Sequence, residues 1–241
     1  MDLQKLQQEV LNEKESSRWE SSTTLPVLMR KVYTWMTLAL VITGITAWVV
    51  AHSPAILQMI MTNKILFLGL LFGELILVWS VSAAINRLSL TTATLLFVLY
   101  SVLNGVTMSF IFLAYTYESV TNVFLITAGT FAAMAFFGYF TKTDLSSIGR
   151  ILFMALIGLI IATIVNIFVK SSGFGMILNY LGVLIFVGLT AWDTQKIKQM
   201  AAETVGEENV SKVATIGALE LYLDFINLFL YLLRIFGGNR N

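Results

Sequence analysis

Residues 214–236 read ATIGALELYLDFINLFLYLLRIF. A helix needs about 20 apolar residues to cross a bilayer, and this run of 23 suffices. Within it Glu220, Asp224, Asn227, Tyr231 and Arg234 recur at alternating spacings of four and three. At 3.6 residues per turn those positions share one face. The face extends about 21 Å at 1.5 Å per residue, too long for a helix cap and too polar for contact with lipid. It must meet protein or water. Two carboxylates one turn apart repel, and a static seam is more readily made from amides and hydroxyls. The stripe is therefore read as a path with titratable groups along it.

Apolar runs of similar length lie at Val32–Ala51, Ile65–Ile85, Thr92–Tyr115, Val120–Phe140, Ile151–Val169 and Phe174–Trp192. They are continuous, whereas barrel strands alternate polar and apolar residues over about 9–11 positions. The expected fold is an all-α membrane protein of seven transmembrane helices. Residues 1–31 are expected to form a cytosolic tail, largely disordered, residues 32–236 the membrane domain and residues 237–241 a short C-terminal tail. The charged stretch Asp193–Val213 is expected in water beside the membrane.

The rest of the composition narrows the chemistry. Hydrophobic residues make up 57% and charged residues 12%, and mean hydropathy is +0.82, well outside the range of soluble domains. There is no cysteine, and His52 is the sole histidine, which removes thiol chemistry, haem–His ligation and ordinary zinc sites. No cofactor is expected. A net charge of +1 gives no field for nucleic acid. Lys5, Lys14, Arg18, Arg30, Lys31, Arg87, Lys142, Arg150, Lys196, Lys198 and Lys212 fall on one side of the predicted spans, against Lys64, Lys170, Arg234 and Arg240 on the other. The excess of positive charge places the amino terminus in the cytoplasm.

An ionisable side chain at the centre of a membrane helix costs about 2.5–3.5 kcal/mol on insertion scales and persists where a partner, cavity or function compensates. Glu74, Glu220 and Asp224 qualify by depth; Asp193 and Arg87 mark the ends of the sixth and second runs. Asn104, Thr107, Thr127, Thr163 and Asn166 read as interhelical hydrogen-bonding groups. Gly69-xxx-Gly73 and Ala132, Ala133, Ala135 and Gly138 read as faces where helices approach.

The blocks GALELYLDFINLFLYLLRIFGG (217–238), GVLIFVGLTAWDTQKIKQM (182–200), FMALIGLIIATIVNIF (153–168) and TKTDLS (141–146) resemble the bacterial branch of the Bax inhibitor-1, or transmembrane Bax inhibitor motif, family. The resemblance runs from Arg30 to the end of the chain. It implies six helices around a central C-terminal seventh, in a bacterial cytoplasmic (inner) membrane, and a calcium leak that responds to pH. It implies that Asp193 and Asp224 share a proton and that an arginine of the second helix, here Arg87 by position, latches them. Glu74 is then a second stop on the ion path. The family often has tyrosine at the place of Trp192 and usually an uncharged residue at the place of Glu220.

The expected function is thus a non-enzymatic, pH-sensitive calcium or cation leak, with Asp193, Asp224 and Arg87 as gate and Glu74, Glu220, Asn227 and Tyr231 along the path. Asp224 and Glu220 are candidates for a transient calcium site, since calcium takes six to eight oxygen ligands. The expected partners are the lipid bilayer, calcium and protons. One alternative is a membrane-embedded regulator of a membrane protease. A lower-ranked one is an intramembrane aspartyl hydrolase, for which the Gly-x-Gly-Asp context is missing around both aspartates.

Overall fold

The computed structural model of the chain describes residues 3–84, 88–204 and 206–238, with side chains at 24–78, 80, 88–201, 204, 206 and 208–238. The elements are α1 (Leu3–Ala51), α2 (Pro54–Thr62), α3 (Lys64–Ala84), α4 (Leu90–Met108), α5 (Ile111–Ala114), α6 (Tyr117–Phe140), α7 (Ser146–Val169), α8 (Ser172–Glu203) and α9 (Glu207–Phe236), with no strand among the described residues. Among the described residues six helical stretches are long and apolar enough to cross a membrane: Thr24–Ala51, Leu90–Ala114, Tyr117–Phe140, Ser146–Val169, Ser172–Ala201 and Glu208–Phe236. Pro54–Thr62 and Lys64–Val78 form a broken pair bent by 92°, which makes a seventh if it is one span. The chain is a multi-pass helical membrane protein.

Local chemistry explains the breaks. Pro54 sits in the first turn of α2, where its missing N–H is not needed. Ser89, Thr116 and Ser171 accept hydrogen bonds from the third residue beyond them and so cap α4, α6 and α8. Lys170 ends α7 in a left-handed conformation, with φ of 54°.

Two expectations change, and a third stretch gains a structure that the sequence left open. Helix α1 begins at Leu3, continuing through residues expected to be disordered. A separate helix, α2, occupies what was expected to be a connection. Most of the charged stretch is helical, because α8 runs on to Glu203 and α9 starts at Glu207. The residues after Asp193 include Gln, Lys, Met, Ala and Glu, all good helix formers, which carry the helix past the apolar run.

Helix α9 packs against α1, α4, α6 and α8. Its apolar window is 67% buried, against 6% for α7. On α7, Ile151, Met154, Ile161 and Phe168 are exposed, as suits a surface facing hydrocarbon.

The two ends of the bundle can be told apart. At one end Lys31 of α1 donates to Ser211 of α9, and Lys198 of α8 donates to the Tyr139 carbonyl at the end of α6. At the other, Gly238 accepts from the Thr116 N–H and donates to Ser119 Oγ at the start of α6. Helix α9 therefore runs antiparallel to α6 from one end of the bundle to the other.

Close crossings rest on particular small residues. A Cβ added at Gly138 would collide with the Ala191 carbonyl, and one at Gly149 with the Trp192 indole. One at Gly182 would strike the Tyr231 ring, and one at Gly105 the Thr43 carbonyl. Gly138 thus fulfils its expected role, whereas Gly69 and Gly73 have open space around them, so Gly69-xxx-Gly73 brings no helices together within the described chain.

Candidate functional site

The polar stripe of α9 meets protein, chiefly α8. Asp193 and Asp224 are both buried, and their carboxyl groups interact across the contact between α8 and α9. Two carboxyl groups brought to hydrogen-bonding distance can bond only through a proton held between them, because an ionised carboxylate has no hydrogen to donate. One turn back along α9, Glu220 Oε1 receives a hydrogen bond from Lys196 Nζ of α8 at 2.6 Å. The ammonium also lies 5.7 Å from the Trp192 ring centroid. Apart from the contact with Asp193, Asp224 Oδ2 is buried without a hydrogen-bond partner, as is Glu220 Oε2.

The scaffold fixes Asp193 from several directions. Ala191 crosses Gly138 and Trp192 covers Gly149. Thr194 Oγ1 donates to the Thr190 carbonyl of its own helix at 2.7 Å. Gln195 accepts from the Leu145 N–H at 2.8 Å and donates to the Thr143 carbonyl at 2.8 Å.

Asn227 and Tyr231 do not extend the acid cluster. Asn227 Nδ2 donates to the Leu223 carbonyl of its own helix, 2.8 Å away. Tyr231 stacks on Phe186 and lies under the Arg234 guanidinium at 5.5 Å. Glu74 belongs to a separate cluster. It accepts from Thr107 at 2.8 Å, beside a network in which Tyr222 donates to Asn104 Oδ1 and hydrogen-bonds Thr43 at 2.6 Å. Thr43 in turn donates to the Ser101 carbonyl.

Arg87 lies outside the described residues. The cation that the structure places on the acids is Lys196, which the sequence reading counted only for topology. The signal was present: Lys196 is three residues after Asp193 and four after Trp192, one helical face if α8 continues past the apolar run. Among the described residues no group of three or more His, Cys, Asp or Glu side chains is arranged to hold a metal ion. Glu220 is engaged by an ammonium, so Asp224 and Glu220 form no preformed calcium cage.

Residues 25–241 match the family model described as Inhibitor of apoptosis-promoting Bax1. The chain is 49% identical over 218 residues to the inner membrane protein YbhL of Escherichia coli strain K12, covering 90% of this chain and 93% of that protein. It is 44% identical over 214 residues to an uncharacterized protein of Borreliella burgdorferi, covering 88% and 92%. It is 40% identical over 220 residues to the uncharacterized protein RP147 of Rickettsia prowazekii, covering 88% and 90%.

Proposed function

Because the chain belongs to the Bax inhibitor-1 family, we propose that it is a pH-sensitive calcium leak of a bacterial inner membrane, gated where α8 meets α9. The observation that carries this reading is the buried carboxyl pair, Asp193 with Asp224. A contact held by one proton changes character when that proton leaves, since two ionised carboxylates side by side repel. Glu220 adds a third acid within one turn, and Lys196 supplies the opposing charge. Calcium is cargo here, not a resident ion. The ammonium of Lys196 occupies the position on Glu220 that a passing cation would take, so it competes with the ion and closes the site while it remains.

Seven crossings suit the connectivity. Helix α1 ends at the far side, where His52 meets Tyr117. Phe110, just beyond α4, packs with Val50 and Ile60 on that side, so α4 starts at the acid-cluster side and α3 must cross between them. The broken pair α2–α3 is then one span, and α9 the central one. The positive residues put the acid-cluster side in the cytoplasm. We assign transport rather than hydrolysis or protease regulation, since the orphan carboxylate oxygens suit a cation.

The test is calcium flux in proteoliposomes across a pH series. Parent protein should give a flux that titrates, and Asp193→Asn should remove the titration. Flux that is absent, or indifferent to pH in the parent, overturns the reading.

A further inference from the structure

A groove of about 580 Å³ opens between α1 and α6, with Phe225 of α9 between their walls. That volume lies within the range of ligand clefts, about 300–1,000 Å³. Its lining is almost wholly apolar, including Leu40, Phe124, Phe131 and Ala132. Small residues make the room: Ala128, Ala132 and Ala135 follow one another along one face of α6 and line the space. This is a different role from the helix approach expected of Ala132 and Ala135.

Water does not fill such a space, because it needs two to four polar partners. Inside a bilayer, hydrocarbon does. The chemistry changes only at the end where α6 meets α7. There Tyr33 and Tyr139 line the groove, as aromatic residues do at the membrane interface. Lys198 Nζ lies 5.3 Å from the Tyr139 ring and donates to its carbonyl. Arg30, one turn before Tyr33, and Lys142, three residues after Tyr139, are both exposed. Asp144, the acid beside Lys142 in sequence, is engaged with the Ser146 N–H. An apolar slot with exposed cations at its interfacial end complements an acyl chain that carries an anionic headgroup.

We propose that this groove binds one acyl chain of an anionic phospholipid, with the phosphate against Arg30 and Lys142. The proposal is independent of ion conduction, and its test reads lipid rather than flux.

The full chain is reconstituted in phosphatidylcholine vesicles that contain a trace of photoactivatable, diazirine-tailed phosphatidylglycerol or, in parallel, phosphatidylcholine with the same tail. Crosslinks should concentrate in residues 29–40 and 124–140, with phosphatidylglycerol labelling about tenfold more strongly, given two basic residues near the surface. The Arg30→Gln/Lys142→Gln variant should bring phosphatidylglycerol down to the phosphatidylcholine level without changing the thermal midpoint. Ala132→Phe should reduce labelling by both lipids. Equal labelling by the two lipids in the parent overturns the proposal. So does labelling spread as densely over the exposed face of α7 as over the groove, which indicates only the general lipid annulus. Should Ala132→Phe fail to fold, the surface double variant still decides.

Discussion

Tyr222 and Asp224 are two residues apart on α9, yet they organise two polar clusters of opposite kinds. Around Tyr222 the groups are hydroxyls, an amide and a backbone carbonyl: Tyr222 bonds Thr43 and Asn104, and Thr43 bonds the Ser101 carbonyl, across α1, α4 and α9. No oxygen of that network is left without a partner. Around Asp224 the groups among the described residues are three carboxyls and one ammonium, and two carboxylate oxygens remain unsatisfied. Neutral, satisfied groups fix packing without responding to pH. Ionisable, partly satisfied groups hold their arrangement only in certain protonation states. The first cluster is a fastening; on the proposed reading the second is the sensor.

The sharpest break of that contrast is a pair of substitutions. Asp224→Asn should abolish most of the pH dependence of calcium flux, because no proton remains to be shared with Asp193. If the variant titrates like the parent, the sensor lies elsewhere. Tyr222→Phe should do the reverse. It strands Asn104 Oδ1 and should lower stability by about 1–3 kcal/mol, the cost of an unsatisfied buried group, with the pH response retained. Thermal unfolding in detergent, read beside the flux curve, separates the two effects.

A smaller effect sharpens the picture of the sensor. Removing the positive charge with Lys196→Gln should let the carboxyls keep their shared proton to higher pH, so the flux midpoint moves upward. Removing a negative charge with Glu220→Gln should move it downward. The shifts should be modest because the pair is partly exposed and screened by solvent. Shifts in the same direction would mean that the ion pair acts through packing and not through charge.

The smallest effect is expected at Asp144, an exposed acid outside both clusters. Hydrogen bonds from the Ser146 side chain and backbone hold its carboxyl below the usual carboxylate range. The sign follows: the stabilisation is present above the unfolded-state value and is lost as pH falls through the depressed folded one. Asp144→Asn should leave flux unchanged, and its small stability deficit should vanish in strong acid. A change in flux there would extend the sensor into the α6–α7 turn.

The sequence was legible where hydrophobic length governs structure. Every apolar run became a helix, and the i, i+4 spacing of Glu220 and Asp224 placed them on one face. Chain punctuation was harder. The nine residues of α2 are too few to register as a span, and α8 outlasts its apolar run because Gln195, Lys196, Lys198, Met200 and Ala201 sustain a helix in any solvent. That overrun hid Lys196 from the acid site. The proximity of Asp193 to Asp224 came from resemblance, since 31 residues separate them and no spacing rule spans such a distance. Nor does spacing reveal that Glu74 keeps company with Thr107 and not with Asp224.

The seating of α8 limits how any opening can occur. Gly138 beneath Ala191, Gly149 beneath Trp192, and the double attachment of Gln195 to residues 143 and 145 hold this helix at three residues that lie on either side of Asp193. A single-residue insertion between Trp192 and Gln195 would turn one set of attachments by about 100° relative to the other, so the two could not be made together. On the proposed reading helix α8 is thus the fixed side of the gate. Any displacement that parts the carboxyls must come from α9 sliding or rotating against it, which makes distances measured from probes on α9 to α6 the coordinate along which opening is to be sought.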